Sequence, residues 1–201
     1  MAVFPAFLKL AGRKVLVVGG GPMAAAKIGA LAQAGAVIHV VSPAICPALD
    51  TTAVASIDRR GFRPADLEGA WLVVAAATPA VNRDVAAAAA ERRLFVNAVD
   101  DPQNASVYLG GVVRRGGATI AISTDGAAPA LAGLLREALE ASLPGEEDMD
   151  AWLARARELK ISWRAAGVPM DARRPQLLEA LNRLHDRQPD FEPSLTAGAA
   201  R

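Results

Sequence analysis

The stretch that decides the fold is residues 14–27, KVLVVGGGPMAAAK. Lys14 leads into a run of Val and Leu with no polar face, the composition of a strand covered on both sides of a parallel sheet. Three glycines end that strand, and Pro22 then opens a helix that runs to Ala34 and closes at Gly35. Proline suits the first helical position, where its missing N–H costs nothing. Within the turn, Gly19-x-Gly21-x-x-Ala24 has the spacing of a dinucleotide-binding loop. Gly19 permits the tight turn, Gly21 leaves room for a pyrophosphate against the backbone, and Ala24 lets helix pack closely on strand. The free N–H groups of the helix start and its dipole then face the anion. A plain tight turn is the bland alternative for the same residues.

Working outward, a second strand spans residues 36–41 (AVIHVV) and stops at Ser42-Pro43. A weak third strand is read at 53–57, a fourth at 71–75, a helix at 79–92 and a fifth strand at 94–97. Strands alternating with helices at this spacing make a doubly wound parallel sheet. After Asp101-Pro102 the rhythm changes. Strands at 107–113 and 118–123 are joined by Arg114-Arg115-Gly116-Gly117, and a helix at 128–142 ends at Pro144-Gly145. Helices at 148–166 and 174–187 follow, with a frayed tail from Gln188. The fold class is α/β: a Rossmann-like doubly wound parallel sheet (1–106), then a small α+β dimerisation region (107–145) and a C-terminal helical domain (146–201).

The charge balance, 22 Lys and Arg against 21 Asp and Glu, gives nothing global to attract nucleic acid or an anionic membrane surface. Cys46 is the sole cysteine, which excludes an intrachain disulfide and a cysteine-built zinc or iron–sulfur site, so no metal site is expected and a reducing cytoplasm fits. The leader lacks a basic start and carries Pro5, unlike a signal peptide. The longest apolar run, residues 71–77, is far short of the ~20 residues of a membrane span.

At the end of the second strand, where a dinucleotide-binding sheet usually carries an acid for the adenosine ribose, this chain has Ser42-Pro43. No arginine stands there for a 2′-phosphate either, and the expected cofactor is NAD.

Together with the leader FPAFLKLAGR, the segments VLVVGGGPMAAAK, VVAAATPAVNRDV, FVNAVDDP and IAISTDGAAPALAGLLREALEASLP resemble the precorrin-2 dehydrogenase/sirohydrochlorin ferrochelatase module of siroheme synthases. The resemblance runs from Phe4 to Pro144, with the motifs in order and at matching distances. It implies NAD-dependent oxidation of precorrin-2 to sirohydrochlorin, often followed by insertion of ferrous iron to give siroheme. In larger siroheme synthases a uroporphyrinogen methyltransferase domain follows this module, and 201 residues leave no room for one. The resemblance places the cofactor on Gly19, Gly20, Gly21, Pro22 and Met23, on Ser42, Pro43 and Ala44, and beside Thr78. It assigns Asp100 as the catalytic aspartate and sets Thr124 near the active site. It also implies a homodimer, which the apolar positions Leu131, Leu134, Leu135 and Leu139 of the 128–142 helix favour independently. The chain departs from the family at Asp125, where a glycine is usual, at Gly110-Gly111, and at Ala26.

Each candidate has a bland reading beside the functional one. Asp100 lies just past a strand's carboxyl end, the edge where open α/β sheets bind ligands, yet Asp100-Asp101-Pro102 is also a turn sequence. Thr78, Ser123 and Thr124 are natural helix caps. The tetrapyrrole substrate is a polycarboxylate, so Arg114 and Arg115 are candidate partners. The helical face of Arg157, Lys160 and Arg164 is another, although such faces are mostly solvated. His39 reads as a packed strand residue, His185 as a helix-end cation, and Trp152 and Trp163 as packing residues. Two other functions are consistent with the same start: a nucleotide-sensing regulatory module without catalysis, and a dehydrogenase for an unrelated small substrate.

Overall fold

The computed structural model describes residues 3–50 and 54–185. The chain divides into two compact units, Met1–Leu109 and Gly110–Arg201.

In the first unit β1 (Lys14–Val18), β2 (Val37–Val41), β3 (Ser56–Asp58), β4 (Leu72–Ala75) and β5 (Phe95–Ala98) form one parallel sheet in the order β3-β2-β1-β4-β5. The order reverses at β1, which leaves a crevice at the carboxyl ends of β1 and β4, the place where such sheets bind ligands. Alternate residues face opposite layers. Leu16, Val18, Val41, Val73 and Val96 pack beneath Val85, Ala88 and Ala89 of α3 (Pro79–Glu91), while Val15, Val17, Val40, Leu72 and Val74 pack beneath Ala24, Ile28 and Leu31 of α1 (Pro22–Gln33). Both faces of β1 are therefore dry, as its sequence requires.

The third strand starts and ends later than the 53–57 expected, because the ladder to β2 sets its limits: Ser56 pairs with His39 and Asp58 with Val41. A His39 Nδ1 to Ser56 Oγ hydrogen bond of 2.8 Å anchors its start; Ala53 lies outside the described residues. Two short turns, α2 (Pro47–Asp50) and a 3-10 turn at Pro64–Leu67, were not anticipated, being too short to show a period.

In the second unit β6 (Gly111–Arg115) and β7 (Ala118–Ile122) form an antiparallel hairpin. The strand expected at 107–113 is corrected in two ways. Residues 107–109 belong to the first unit, where Val107 and Leu109 pack on the α1 layer and Val107 N–H donates to the Val96 carbonyl at 3.1 Å. Arg114 and Arg115 are strand residues rather than part of the connection; pairing of Arg115 with Ala118 leaves Gly116-Gly117 as the two-residue turn, with Gly116 at φ +52.

Helix α4 (Pro129–Ser142) packs on the hairpin, and α5 (Glu146–Ala165) packs with α6 (Met170–His185). Helix α5 begins two residues before the expected 148, since Glu146, Glu147 and Asp148 all favour its positive end. The last helix begins at Met170, ahead of the expected 174, and carries Pro175 within it. Trp163 is buried, with its indole N–H on Gln176 Oε1 at 2.6 Å, and Trp152 is half-buried. Residues 186–187 of that expected helix and the tail from Gln188 lie outside the described residues. No helix among the described residues is long and apolar enough to cross a membrane.

Candidate dinucleotide site

The crevice at the carboxyl ends of β1, β2 and β4 is a cleft of about 560 Å³, walled by the three glycines, residues 42–46, Gly61, Phe62 and residues 76–78. The glycines serve different ends. Gly19 sits at φ +121, and a Cβ there would lie 2.2 Å from the Ala76 carbonyl oxygen. At Gly20 a Cβ would lie 2.1 Å from the Ala44 carbonyl oxygen, and the Gly20 carbonyl accepts the Cys46 N–H at 2.7 Å. Those two glycines are demanded by the protein's own backbone. Gly21 is different: its backbone is extended and a Cβ would meet nothing within 4 Å.

Gly21 is also the N-cap of α1, and no side chain caps that helix. Uncapped helical N–H groups beside open space at the mouth of a cleft form a cradle for a diphosphate. Ser42 is buried and its hydroxyl donates to the Ala44 carbonyl at 2.8 Å. Thr78 caps α3, accepting the Val81 N–H at 3.5 Å, while the buried Asn82 holds the preceding loop by accepting the Ala77 N–H at 3.0 Å. Gly19, Gly20, Gly21, Ser42, Pro43, Ala44 and Thr78 thus line one cleft. Pro22 and Met23 begin α1 beside it, both exposed.

The sequence reading missed Ile45, Cys46, Gly61, Phe62 and Val81 in this wall. It also missed the network that holds Phe62: Arg60 binds both carboxylate oxygens of Asp66 at 2.7 and 2.8 Å. The guanidinium hydrogen bond holds the Asp66 carboxyl well below the usual carboxylate range, and the same contact raises Arg60. Opposite charges two and six residues either side of Arg60 were the available signal.

Asp100 follows β5 at φ +57, exposed, with no hydrogen bond or ion pair to its carboxylate among the described residues. Val99 N–H donates to the Ala75 carbonyl at 2.9 Å, so the Asp100 turn adjoins the end of β4, whose next residues wall the cleft. Asp101 is engaged in the turn, its carboxylate accepting Asn104 Nδ2 at 2.7 Å. In the second unit Ser123 and Thr124 accept the backbone N–H groups of Asp125 and Ala128 at 3.2 and 3.3 Å, which leaves each hydroxyl proton free to donate. Arg114 is exposed, whereas Arg115 donates to the Glu140 carbonyl at 2.8 Å.

A reversed-order parallel sheet with an uncapped glycine cradle at its switch point is a dinucleotide-binding domain. The family described as putative NAD(P)-binding matches residues 6–111. The chain belongs to this family, and its cofactor is NAD. Residues 115–142 match the family described as sirohaem biosynthesis protein central. Siroheme synthase 1 of Aeromonas salmonicida is 42% identical over 178 residues, covering 87% of this chain and 38% of that protein. Siroheme synthase of Sodalis glossinidius is 43% identical over 148 residues, covering 72% and 31%. The chain therefore spans about a third of the length of these relatives. Among solved structures, SirC, precorrin-2 dehydrogenase, superposes with a TM-score of 0.65 at 26% identity over 88% of each chain.

Proposed function

We propose that this chain oxidises precorrin-2 to sirohydrochlorin in siroheme formation. The observation that carries the reading is Asp100: an exposed carboxylate without a partner among the described residues, held past β5 and next to the wall of the dinucleotide cleft. Bound at the glycine cradle, NAD supplies the hydride acceptor. The macrocycle loses one hydride and one proton, and Asp100 receives the proton. Gly21 and the start of α1 hold the diphosphate, and residues 42–44 with Phe62 enclose the adenosine end. The siroheme synthases and the precorrin-2 dehydrogenase it resembles support this substrate class.

Arg114, Arg115, Ser123 and Thr124 are the proposed partners of the substrate carboxylates, with Arg114 the least engaged. Insertion of ferrous iron, in which the metal replaces two pyrrole protons, is the proposed second reaction. The proposed assembly is a homodimer through α4, and the proposed compartment is the cytoplasm, where the NAD pool is at hand.

The test is absorbance of purified protein with precorrin-2 and NAD⁺, followed by ferrous or cobaltous ion. Sirohydrochlorin is expected from the first step. NAD⁺ binding without oxidation would replace the enzyme by a nucleotide-sensing module, and oxidation of simple hydroxy acids instead would point to another dehydrogenase.

A further inference from the structure

The adenosine end of the cleft lacks the usual ribose-reading carboxylate at the end of β2, where Ser42 stands with its hydroxyl on Ala44. One strand further out the chemistry changes. Asp58, the last residue of β3, pairs with Val41, and its carbonyl accepts the Ser42 N–H at 3.0 Å. Its carboxylate meets Arg60 Nη2 at 2.8 Å, while Asp66 grips both terminal nitrogens of the same guanidinium. Arg60 Nη1 also donates to the Gly61 carbonyl at 3.1 Å, and Asp66 accepts the Arg63 N–H at 2.8 Å. Lys14 Nζ donates to the carbonyls of Asp66 and Glu68 at 2.9 and 2.7 Å. The turn bearing Gly61 and Phe62 is thereby fixed at both ends.

We propose that the Asp58–Arg60–Asp66 network is the specificity device of the adenosine end, fixing the Gly61-Phe62 wall and excluding the 2′-phosphate of NADP. The inference rests on the cleft being the NAD site. In NADP-binding relatives of this fold an arginine near the end of the second strand receives the 2′-phosphate as a planar fork. Here both ends of the fork are filled. Both terminal nitrogens of Arg60 are taken by carboxylates, so a phosphate brought beside the guanidinium meets two carboxylate groups and no open donor pair. Phe62, packed on the buried layer under α3, offers a ring surface to the adenine side of the cleft.

The experiment is calorimetric titration of the purified chain with NAD⁺ and with NADP⁺, with thermal melts to verify folding. The parent should favour NAD⁺ by about tenfold or more. Asp58→Asn, at a half-exposed position, should tighten NADP⁺ about tenfold and leave NAD⁺ within about twofold, because it removes one negative charge and weakens the hold on Arg60 Nη2 to a neutral hydrogen bond. Adding Asp66→Asn should extend the gain, and adding Arg60→Gln to Asp58→Asn should abolish it. If the Asp66 variant fails to fold, Asp58→Asn alone decides. A parent that binds the two cofactors equally, or an Asp58→Asn variant with unchanged NADP⁺ affinity, overturns the inference and leaves the cleft assignment standing. A parent that binds neither overturns the cofactor reading itself.

Discussion

The side-chain amide of Asn97 donates to the carbonyl oxygen of Val107 at 3.0 Å. Asn97 lies on β5 and Val107 on the segment that returns beside it, so the bond closes the loop that displays Asp100. Three further bonds join the same segments: Ser106 N–H and Val107 N–H to the Val96 carbonyl, and Val96 N–H to Ser106 Oγ. Asn97 is the only one of these contacts that a side chain on β5 supplies, and its carbonyl oxygen is buried without a partner among the described residues. Asn97→Ala should cost about 1–2 kcal/mol, the penalty of stranding the Val107 carbonyl. It should also lower kcat while leaving NAD⁺ affinity unchanged. Chemical denaturation reads the stability, turnover reads kcat and calorimetry reads NAD⁺ affinity; an NAD⁺ affinity that falls together with kcat would make Asn97 a purely structural residue.

Asp100 and Asp101 are adjacent carboxylates with different employment. Asp101 is bonded within its turn and Asp100 is not. Asp100→Asn should retain NAD⁺ binding and lose turnover by about 10²-fold or more, the scale of proton transfer by a placed base. Asp101→Asn should change turnover far less. Because Asp100 holds φ +57, Asp100→Gly should fold at least as stably as the parent while remaining inactive. Parent-level turnover in a folded Asp100→Asn variant would reduce this carboxylate to a turn residue.

The three glycines separate folding from binding. Gly19→Ala drives a Cβ against the Ala76 carbonyl at a positive φ and should cost about 3 kcal/mol or more. Gly21→Val places its side chain in open space, so the melting temperature should stay near the parent's while NAD⁺ binding is lost. The reverse pattern in melts and titrations would move the diphosphate away from Gly21.

Why the glycine turn was legible and the opposite wall was not follows from the range of the interactions. Gly19 to Ala24 are neighbours in sequence, and their spacing alone encodes the turn. Gly61 and Phe62 reach the cleft through β3, a three-residue edge strand whose limits depend on pairing with β2. Residues 107–109 look like a strand because Val107 and Leu109 are apolar, yet they are apolar in order to cover the sheet beside β5. The hairpin itself begins later, where Gly110 permits the close approach to the Ile122 carbonyl, 2.0 Å from where a Cβ would lie. Alternation of apolar residues gives the elements, and only the ladder gives their ends.

The Arg60–Asp66 contact gives stability a pH dependence of definite sign. The hydrogen bond from Arg60 lowers the folded-state value of Asp66, so the stabilisation is fully present above the unfolded carboxylate value of about 4. It is lost as pH falls through the depressed folded value. Asp66→Asn should therefore melt below the parent at pH 7, the gap should start to narrow only below about pH 4, and it should close once pH has fallen beneath the depressed folded value. A gap that persists unchanged into acid would assign the effect to packing instead.

Helix α4 carries two apolar stripes and the hairpin covers only one of them. Ala132 is buried against the second unit's own strands, whereas Leu131, Leu134 and Leu135 are 49%, 64% and 43% exposed. Their i, i+3, i+4 spacing sets them on one outward face. A two-fold interface would bury this face against its own copy, each half-exposed leucine contributing about 1 kcal/mol toward association. Leu134→Glu sets a charge at the centre of that face and should yield a folded monomer, since Leu134 contributes little to the core of its own chain. Sedimentation velocity at micromolar concentration compares the two: a dimer for the parent and a monomer for the variant, with equal far-ultraviolet spectra. A parent that sediments as a monomer, or a Leu134→Glu variant that remains dimeric, would remove α4 as the interface.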